Sequence, residues 1–246
     1  MALVSTGCQP APDSPEVLIE RGRINRDRDR LTEALEALET AIRAEPQNAE
    51  LYYERALVYE RADRLEDALS DYEQAVRYNP DWREALNNRA VVLARLERFD
   101  DAVAGFTRVL EVMPDDVLAL RNRGLARHDG GDAQAALDDV DAALKIDPGN
   151  SESWLVRGNI CLESDLFEDA VESYSEALRL DQQFLPAREQ RAVAYERLGK
   201  LELARKDQKR VEEIRQMADT NAAAEREFNS QFEQTEQSES EEPAVE

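Results

Sequence analysis

Chemically reactive residues are scarce in this 246-residue chain, which contains one histidine and two cysteines. The histidine, His128, has no second histidine, cysteine or serine at a useful spacing, so we expect neither a metal ligand nor a general base there. Its helical phase places it on an exposed surface beside Asp129. Cys8 and Cys161 form no disulfide framework, and no glycine-rich phosphate loop or paired metal motif occurs. The sequence therefore predicts a non-catalytic protein with no metal and no cofactor.

Long apolar runs and basic charge are also lacking. No run of 18 apolar residues is present, so no membrane-spanning helix is expected. The chain has 31 lysines and arginines against 54 acidic residues, and its net charge of −23 repels phosphate backbones. The few basic stretches, such as residues 26–30, are interrupted by acids. Nucleic acid is therefore not an expected partner, and the evenly spread acidity favours a role in solubility.

What the sequence does contain is a period of 34 residues, marked by prolines at Pro46, Pro80, Pro114 and Pro148. Arginines recur at the same period, at Arg21, Arg55, Arg89, Arg123, Arg157 and Arg191. Each arginine is followed by a residue with little or no side chain: Gly22, Ala56, Ala90, Gly124, Gly158 and Ala192. A third series occurs at Ala34, Ala68, Ala102, Ala136, Ala170 and Ala204. Residues 15–218 thus form six repeats, which predicts a solenoid.

Each repeat has the pattern of two helices and a turn. In the second repeat, apolar residues recur at helical spacing in two groups: Tyr52, Ala56 and Tyr59, then Ala68, Tyr72, Ala75 and Val76. A polar break at residues 62–64 separates the groups. The small side chains of Ala56 and Ala68 allow the helix axes to approach closely. Asn79-Pro80 ends the second helix, because proline disfavours helical geometry in the residue before it and lacks a backbone donor.

This order of aromatic, small and proline residues resembles the tetratricopeptide repeat, whose helix–turn–helix unit has the same length. The resemblance is carried in the third repeat by Leu86, Ala90, Leu93, Ala102, Phe106 and Pro114, and in the fifth by Trp154, Gly158, Ala170, Tyr174 and Ala177. It implies an all-α fold: a right-handed superhelical solenoid of about six helix–turn–helix units with a long C-terminal capping helix. The predicted repeats 1 to 6 are residues 15–48, 49–82, 83–116, 117–150, 151–184 and 185–218.

Departures from the repeat pattern are polar and lie mainly towards the ends: Asn25, Gln182, Arg188 and Gln208. Polar residues suit terminal repeats that must face water. Cys161 takes an inward position in repeat 5 and is expected to be a small buried hydrophobe. Apolar residues continue at helical spacing to Ala218, which predicts a long final helix. Residues 219–246 comprise its end and, beyond about residue 226, a segment whose low apolar content predicts a disordered acidic tail.

Residues 1–14 resemble the signal of a bacterial lipoprotein. Small residues precede Cys8, and the prolines of residues 9–15 predict an extended tether. The resemblance implies lipidation of Cys8 and a place in the bacterial cell envelope, at the outer membrane facing the periplasm, because Gln9 is not the aspartate that retains such proteins at the inner membrane. Ser5 stands where leucine is usual, and the segment before Cys8 is short for a signal peptide. A start inside a longer signal sequence and an ordinary tail with a free thiol are the two explanations.

The arginine series, here called the arginine ladder, is predicted to be structural. Each member stands beside the small residue at a helix crossing, where a partly buried guanidinium needs a carboxylate or carbonyl partner. Aspartates on a comparable face of three second helices are the candidate partners: Asp71, Asp139 and Asp207. The alternative is that the ladder forms a track for a polyanion.

In the tetratricopeptide family, the first helices line a concave groove that binds peptides or helices of partner proteins. Projected onto this chain by helical phase, the groove contains Tyr53, Leu57, Asn87, Val91, Leu118, Arg121, Leu125, Leu155 and Asn159. Charged residues surround it: Glu50, Glu60, Arg61, Glu84 and Arg95. Leu57, Val91 and Leu125, which recur at the repeat period, have an alternative role in packing neighbouring first helices together.

The sequence therefore predicts a non-catalytic scaffold that binds peptide or helix segments of other proteins and is tethered in a bacterial envelope. A membrane contact is expected only through a lipid on Cys8. The alternatives are an untethered cytoplasmic adaptor and a regulatory subunit of an enzyme assembly.

Overall fold

The computed structural model describes residues 14–240, and within them the side chains of residues 14–222 and of Arg226. The described residues form twelve α-helices and no strand. In chain order they are α1 (Pro15–Asp27), α2 (Leu31–Ala44), α3 (Ala49–Arg61), α4 (Leu65–Tyr78), α5 (Arg83–Arg95), α6 (Phe99–Val112), α7 (Val117–Asp129), α8 (Ala133–Ile146), α9 (Ser151–Glu163), α10 (Phe167–Leu180), α11 (Leu185–Arg197) and α12 (Leu201–Ser240). The predicted all-α solenoid of helix pairs is confirmed, and the handedness of a superhelix stays a prediction.

The chain divides between Pro148 and Gly149 into two compact units. The N-terminal unit contains α1 to α8, and the C-terminal unit contains α9 to α12. Within each unit, every helix packs against the next one along the chain. This sequential packing is how a repeat array buries apolar surface that no single helix pair can bury.

Side chains of the residue before each first helix explain where several of these helices begin. Asn48 Oδ1 accepts a hydrogen bond from the backbone N–H of Glu50 at 3.0 Å, before α3. Asp116 Oδ1 accepts one from Ala119 at 3.0 Å, before α7. Such caps satisfy backbone donors that have no partner inside the helix. At the other boundary, α4 ends at Tyr78, two residues before Pro80, as the sequence predicts.

The helices of a repeat cross where both carry small residues. Ala56, Ala68 and Ala90 are completely buried. At Gly22 a Cβ atom would lie 2.8 Å from Leu38 Cγ, which is closer than real side chains approach. Large side chains fill the space around the crossings, and Tyr72, Phe106 and Tyr174 are each at most 1% exposed. The crossing therefore needs its small residue, because a larger one would separate the two helix axes.

The turn inside each repeat contains one residue with positive φ, again at the repeat period. These residues are Asp29 (φ 60°), Asp63 (55°), Glu97 (58°), Gly131 (92°), Asp165 (60°) and Gly199 (69°). The next backbone N–H donates to a carbonyl five residues earlier, as from Arg64 to Tyr59 at 2.8 Å and from Arg98 to Leu93 at 2.9 Å. This is the geometry of a Schellman helix end, in which the left-handed residue is normally glycine or a short polar residue.

The last helix is longer than the sequence predicts. Helix α12 has 40 residues and reaches Ser240, so it continues through the segment beyond residue 226 that was expected to be disordered. No glycine or proline occurs between Leu201 and Ser240, and Glu, Gln, Ala and Arg are good helix formers. Residues 241–246 lie outside the described residues. No described helix is long and apolar enough to cross a membrane.

The positive-φ position provides a test of the turn. Gly131→Ala is expected to lower the free energy of unfolding by about 1 kcal/mol, because a Cβ atom is unfavourable in left-handed geometry. No atom lies within 4 Å of the added methyl group, so packing does not obscure the effect. Glu97→Gly, at the same place in repeat 3, is expected to raise that free energy by about 0.5–1 kcal/mol. Urea denaturation measures both, and changes of the same sign in the two variants would contradict the assignment.

Candidate functional site

Three members of the arginine ladder pair with an aspartate sixteen residues later on the second helix of the same repeat. Arg55 donates to Asp71 through Nε at 2.6 Å and Nη2 at 2.7 Å. In the same two-bond arrangement, Arg123 contacts Asp139 at 2.8 and 2.6 Å, and Arg191 contacts Asp207 at 2.7 and 2.8 Å. All three aspartates are 4% exposed. The structural role predicted for the ladder is thus confirmed at repeats 2, 4 and 6.

The odd-numbered repeats have no aspartate at that position. The residues opposite Arg21, Arg89 and Arg157 are Ala37, Gly105 and Ser173. Arg157 donates instead to Ser173 Oγ at 2.8 Å. The buried Nε of Arg89 has no hydrogen-bond partner among the residues that the structure describes. The expectation that every ladder arginine has a carboxylate or carbonyl partner is therefore wrong for the Nε of Arg89, because Gly105 offers no side chain.

The groove positions of the N-terminal unit lie on α3, α5 and α7. Tyr53, Leu57, Asn87, Val91, Arg121 and Leu125 are half-buried, and Leu118 is 40% exposed. Leu57 and Val91 pack against the buried cluster that includes Ala56, Tyr72 and Phe106. These two side chains therefore contribute to the core as well as to the surface, which is the alternative role the sequence left open.

An open pocket of about 260 Å³ lies on this face between α5 and α7, and we call it the α5/α7 pocket. It is lined by Val91, Ala94, Arg95, Phe106, Asn122, Leu125, Ala126 and Asp129. Two predicted groove residues, Val91 and Leu125, thus lie in one site. The sequence placed Arg95 at the edge of the groove but assigned neither Phe106 nor Asp129 to it. Phe106 was missed because it belongs to the core pattern of a second helix.

A network of polar side chains connects α3, α4 and α5 beside the groove positions. Tyr72 donates its hydroxyl hydrogen to Glu60 Oε2 at 2.6 Å. Asn88 Nδ2 donates to Tyr53 Oη at 3.2 Å. Burial raises the pKa of Tyr72 far above its ordinary value, so its hydroxyl stays protonated and remains a donor. Arg95 donates to Asp63 Oδ1 at 2.8 Å across the neighbouring turn.

A buried carboxylate between α1 and α3 was not predicted. Glu54 is 5% exposed. Its Oε1 accepts from Arg23 Nε and its Oε2 from Arg26 Nη1, both at 2.7 Å. Two cations on one buried carboxylate compensate for its desolvation. In the sequence Glu54 is one acid among 54, so only the alignment of its neighbours on α1 identifies the contact.

The remaining predicted residues do not line the α5/α7 pocket. In the C-terminal unit Leu155 is half-buried, and Asn159 Oδ1 accepts a hydrogen bond from Tyr174 Oη at 2.9 Å, so Asn159 supports the core. His128 is half-buried, which corrects its expected exposure. Cys161 is 1% exposed, as predicted. Within residues 14–240 no cluster of potential metal ligands occurs, and Cys8 lies outside that range.

Paired helices that repeat every 34 residues, with small residues at each crossing, define a helical-repeat protein. The family model described as tetratricopeptide repeat matches residues 53–111, 92–151, 140–184 and 155–217. A second, described as TPR repeat, matches residues 22–63. The chain belongs to the tetratricopeptide repeat family.

Several solved structures have the same fold. A tetratricopeptide repeat protein from Parabacteroides merdae is 24% identical with a TM-score of 0.71, covering 80% of this chain and 78% of its own. PilW, described as a widely conserved type IV pilus biogenesis factor, is 18% identical with a TM-score of 0.72, covering 80% and 91%. YrrB, described as having an unusual peptide-binding site, is 21% identical with a TM-score of 0.59, covering 71% and 90%. No curated protein sequence matches the chain.

The alternating ladder leads to a paired mutational test. Arg55→Ala is expected to lower the free energy of unfolding by about 3 kcal/mol, because it leaves Asp71 buried without its cation. Arg89→Ala is the matched control and should cost less than about 1 kcal/mol, since no acceptor on Gly105 is left unpaired. Thermal and urea denaturation measure both variants. Equal losses would show that the aspartate pairing does not decide the role of the ladder.

Proposed function

We propose that this protein is a non-catalytic scaffold that binds a segment of a partner protein at the α5/α7 pocket. One observation supports the proposal: an apolar pocket with charges of both signs beside it includes Val91 and Leu125, two residues that the family resemblance assigns to the partner-binding groove. Phe106 is buried at its base, Val91 and Leu125 are half-buried, and Arg95 and Asp129 are exposed. Apolar anchors surrounded by polar residues are the usual composition of a protein-binding hot spot.

The size of the pocket favours a side chain over a free small molecule. Its volume of about 260 Å³ is below the range that encloses a drug-sized ligand, which begins at about 300 Å³. An apolar side chain of a peptide or helix fills such a space while the rest of the segment lies along the first helices. Arg95 and Asp129 favour a segment that carries both an acidic and a basic residue next to the anchor.

The description of YrrB as a peptide-binding protein agrees with this proposal. The fold alone also suits an untethered cytoplasmic adaptor or a regulatory subunit of an enzyme assembly, because both roles use the same kind of surface. All of these roles use the same pocket chemistry, so identifying the partner protein is what distinguishes one role from another.

We further propose that the scaffold works in a bacterial envelope, anchored through Cys8. The support is the sequence alone: small residues before Cys8 and a proline-rich segment after it. A lipid contributes about 0.8 kcal/mol per buried methylene, so several acyl chains on Cys8 would hold the protein at a membrane. The proline-rich residues 9–15 would then separate the helical repeats from the bilayer.

Leu125→Ser tests the pocket. Loss of this anchor is expected to weaken partner binding by about 2 kcal/mol, roughly thirtyfold in Kd. The partner is first trapped in cells by a photo-crosslinking residue at position 122, which lines the pocket without being its anchor, and its affinity is then measured with purified proteins. Ile146→Ser is the matched control, since Ile146 is an exposed aliphatic residue on α8 of the same unit that belongs neither to the predicted groove nor to the pocket. Circular dichroism verifies folding. Full affinity in the folded Leu125 variant, or an equal loss in the control, would exclude the pocket.

Cys8→Ala tests the anchor. The gene is expressed from its full upstream start, and cells are separated into soluble, inner-membrane and outer-membrane fractions. We expect the parent protein in the outer-membrane fraction with a mass increase from acylation, and the variant in a soluble fraction without it. Recovery of both proteins, unmodified, in the cytosol would reject the anchor and favour the untethered adaptor.

A further inference from the structure

A second cavity, of about 520 Å³, lies between α11 and α12 of the C-terminal unit, and we call it the α11/α12 cavity. Five of its nine lining residues are basic: Arg188, Arg191, Lys206, Lys209 and Arg210. Two are acidic, Asp207 and Glu213, so the lining carries a net charge of +3. The whole chain has a net charge of −23. The cavity is therefore a local reversal of the charge of the protein.

Comparison among the repeats shows that this reversal is specific to repeat 6. Lys206, Lys209 and Arg210 occupy three positions that can be followed through the 34-residue period. In the other repeats these positions hold Glu36, Glu39 and Thr40; Ser70, Glu73 and Gln74; Ala104, Thr107 and Arg108; Asp138, Asp141 and Ala142; Glu172, Ser175 and Glu176. Fourteen of these fifteen residues are neutral or acidic, whereas all three are basic in repeat 6.

The distribution of lysine points to the same place. The chain has four lysines: Lys145, Lys200, Lys206 and Lys209. All its other basic residues apart from His128 are arginines, many of them in ion pairs within and between helices. Two of the four lysines line this one cavity. An ammonium group on a flexible stem can adjust to an anion in ways that a planar guanidinium cannot.

Arg188 changes the inside of the cavity. The same position in the other repeats is apolar: Leu18, Tyr52, Leu86, Leu120 and Trp154. Arg188 donates to the backbone carbonyl of Gln182 at 2.6 Å, and it lies 3.4 Å from Asp207 Oδ1. Arg191 holds the same carboxylate through two hydrogen bonds, so Asp207 is already neutralised by two cations.

The charge that remains lies on the second helix. Lys206 and Lys209 are exposed, and Lys209 Nζ is 4.0 Å from Glu213. Among the described residues Lys206 has no ion pair within 4.0 Å, while Arg210 contacts Glu213 at 2.9 Å. Glu213 thus pairs with Lys209 and Arg210, and Lys206 is left without a carboxylate among the described residues. A cap that serves only solubility needs polar residues but no excess of one sign.

We propose that the α11/α12 cavity binds a small organic anion that carries two or more negative groups, either a phosphate ester or a polycarboxylate. Its volume lies within the range of small-molecule sites. Tyr195 and Leu203 give it apolar surface for the carbon part of the ligand. Lys206 and Lys209 contact the negative groups, while Arg188 and Arg191 raise the local potential behind them. The site is separate from the α5/α7 pocket and does not depend on its function.

Calorimetric titration of the full chain with inorganic pyrophosphate and with citrate tests the proposal at low ionic strength. The variant Lys206→Glu with Lys209→Ser takes both residues from repeat 5, and we expect it to lose at least tenfold in affinity. Lys145→Glu with Lys200→Ser is the matched control: it changes the net charge equally, but neither residue lines the cavity. The control is expected to bind as the parent protein does.

The two probes distinguish the sources of the anion. Binding of pyrophosphate alone assigns a phosphate ester, binding of citrate alone assigns a polycarboxylate, and binding of both supports the common chemistry. A second measurement does not depend on a variant: bound probe should protect Lys206 and Lys209, but not Lys145, from acetylation. Absence of binding by both probes, or equal loss in both variants, would overturn the proposal.

Discussion

The close crossing of two helices at small residues is the constraint on which the rest of the structure depends. Residues such as Ala56 and Ala68 let the backbones approach, and this approach lets Tyr72 and Phe106 fill the space between neighbouring pairs. The arginine before each small residue is carried to the same crossing. The first-helix residue that follows each small residue, such as Leu57, is half-buried beside the crossing, so the crossing also decides which side chains form a surface.

The features that the sequence predicted correctly are those that follow from a local residue pattern or from the 34-residue period. Helix pairs, their ends near the prolines and the partners Asp71, Asp139 and Asp207 follow from spacing alone. Arg89 Nε, which has no hydrogen-bond partner in the described part of the chain, was not predicted, because its environment depends on one glycine sixteen residues away. The hydrogen bonds from Arg23 and Arg26 of α1 to Glu54 were not predicted, because they depend on how repeats 1 and 2 pack against each other. Helix α12 is longer than expected. The low apolar content beyond residue 226 argues against packing into a core, but it does not prevent the backbone from remaining helical.

The two candidate sites differ in how the repeat pattern produces them. The α5/α7 pocket uses positions that every repeat has, and its character comes from ordinary variation among first helices. The α11/α12 cavity owes its positive charge to departures of repeat 6 from the pattern, with Arg188 in an apolar position and three cations where neutral or acidic residues are usual. A repeat array can thus keep one inherited surface and acquire another in a single repeat, here at α11 and α12, the last of the described helices.

The alternating arginine ladder has a consequence for how the array opens. Repeats 2, 4 and 6 are each fastened internally by an arginine–aspartate pair, whereas repeats 1, 3 and 5 lack the aspartate. In a quasi-one-dimensional protein, the cost of local opening is set by each repeat and its neighbours. Amide hydrogens in the second helices would therefore exchange with solvent more slowly in repeats 2, 4 and 6 than in repeats 1, 3 and 5. Local stability would then vary with a period of two repeats, twice the length of the period visible in the sequence.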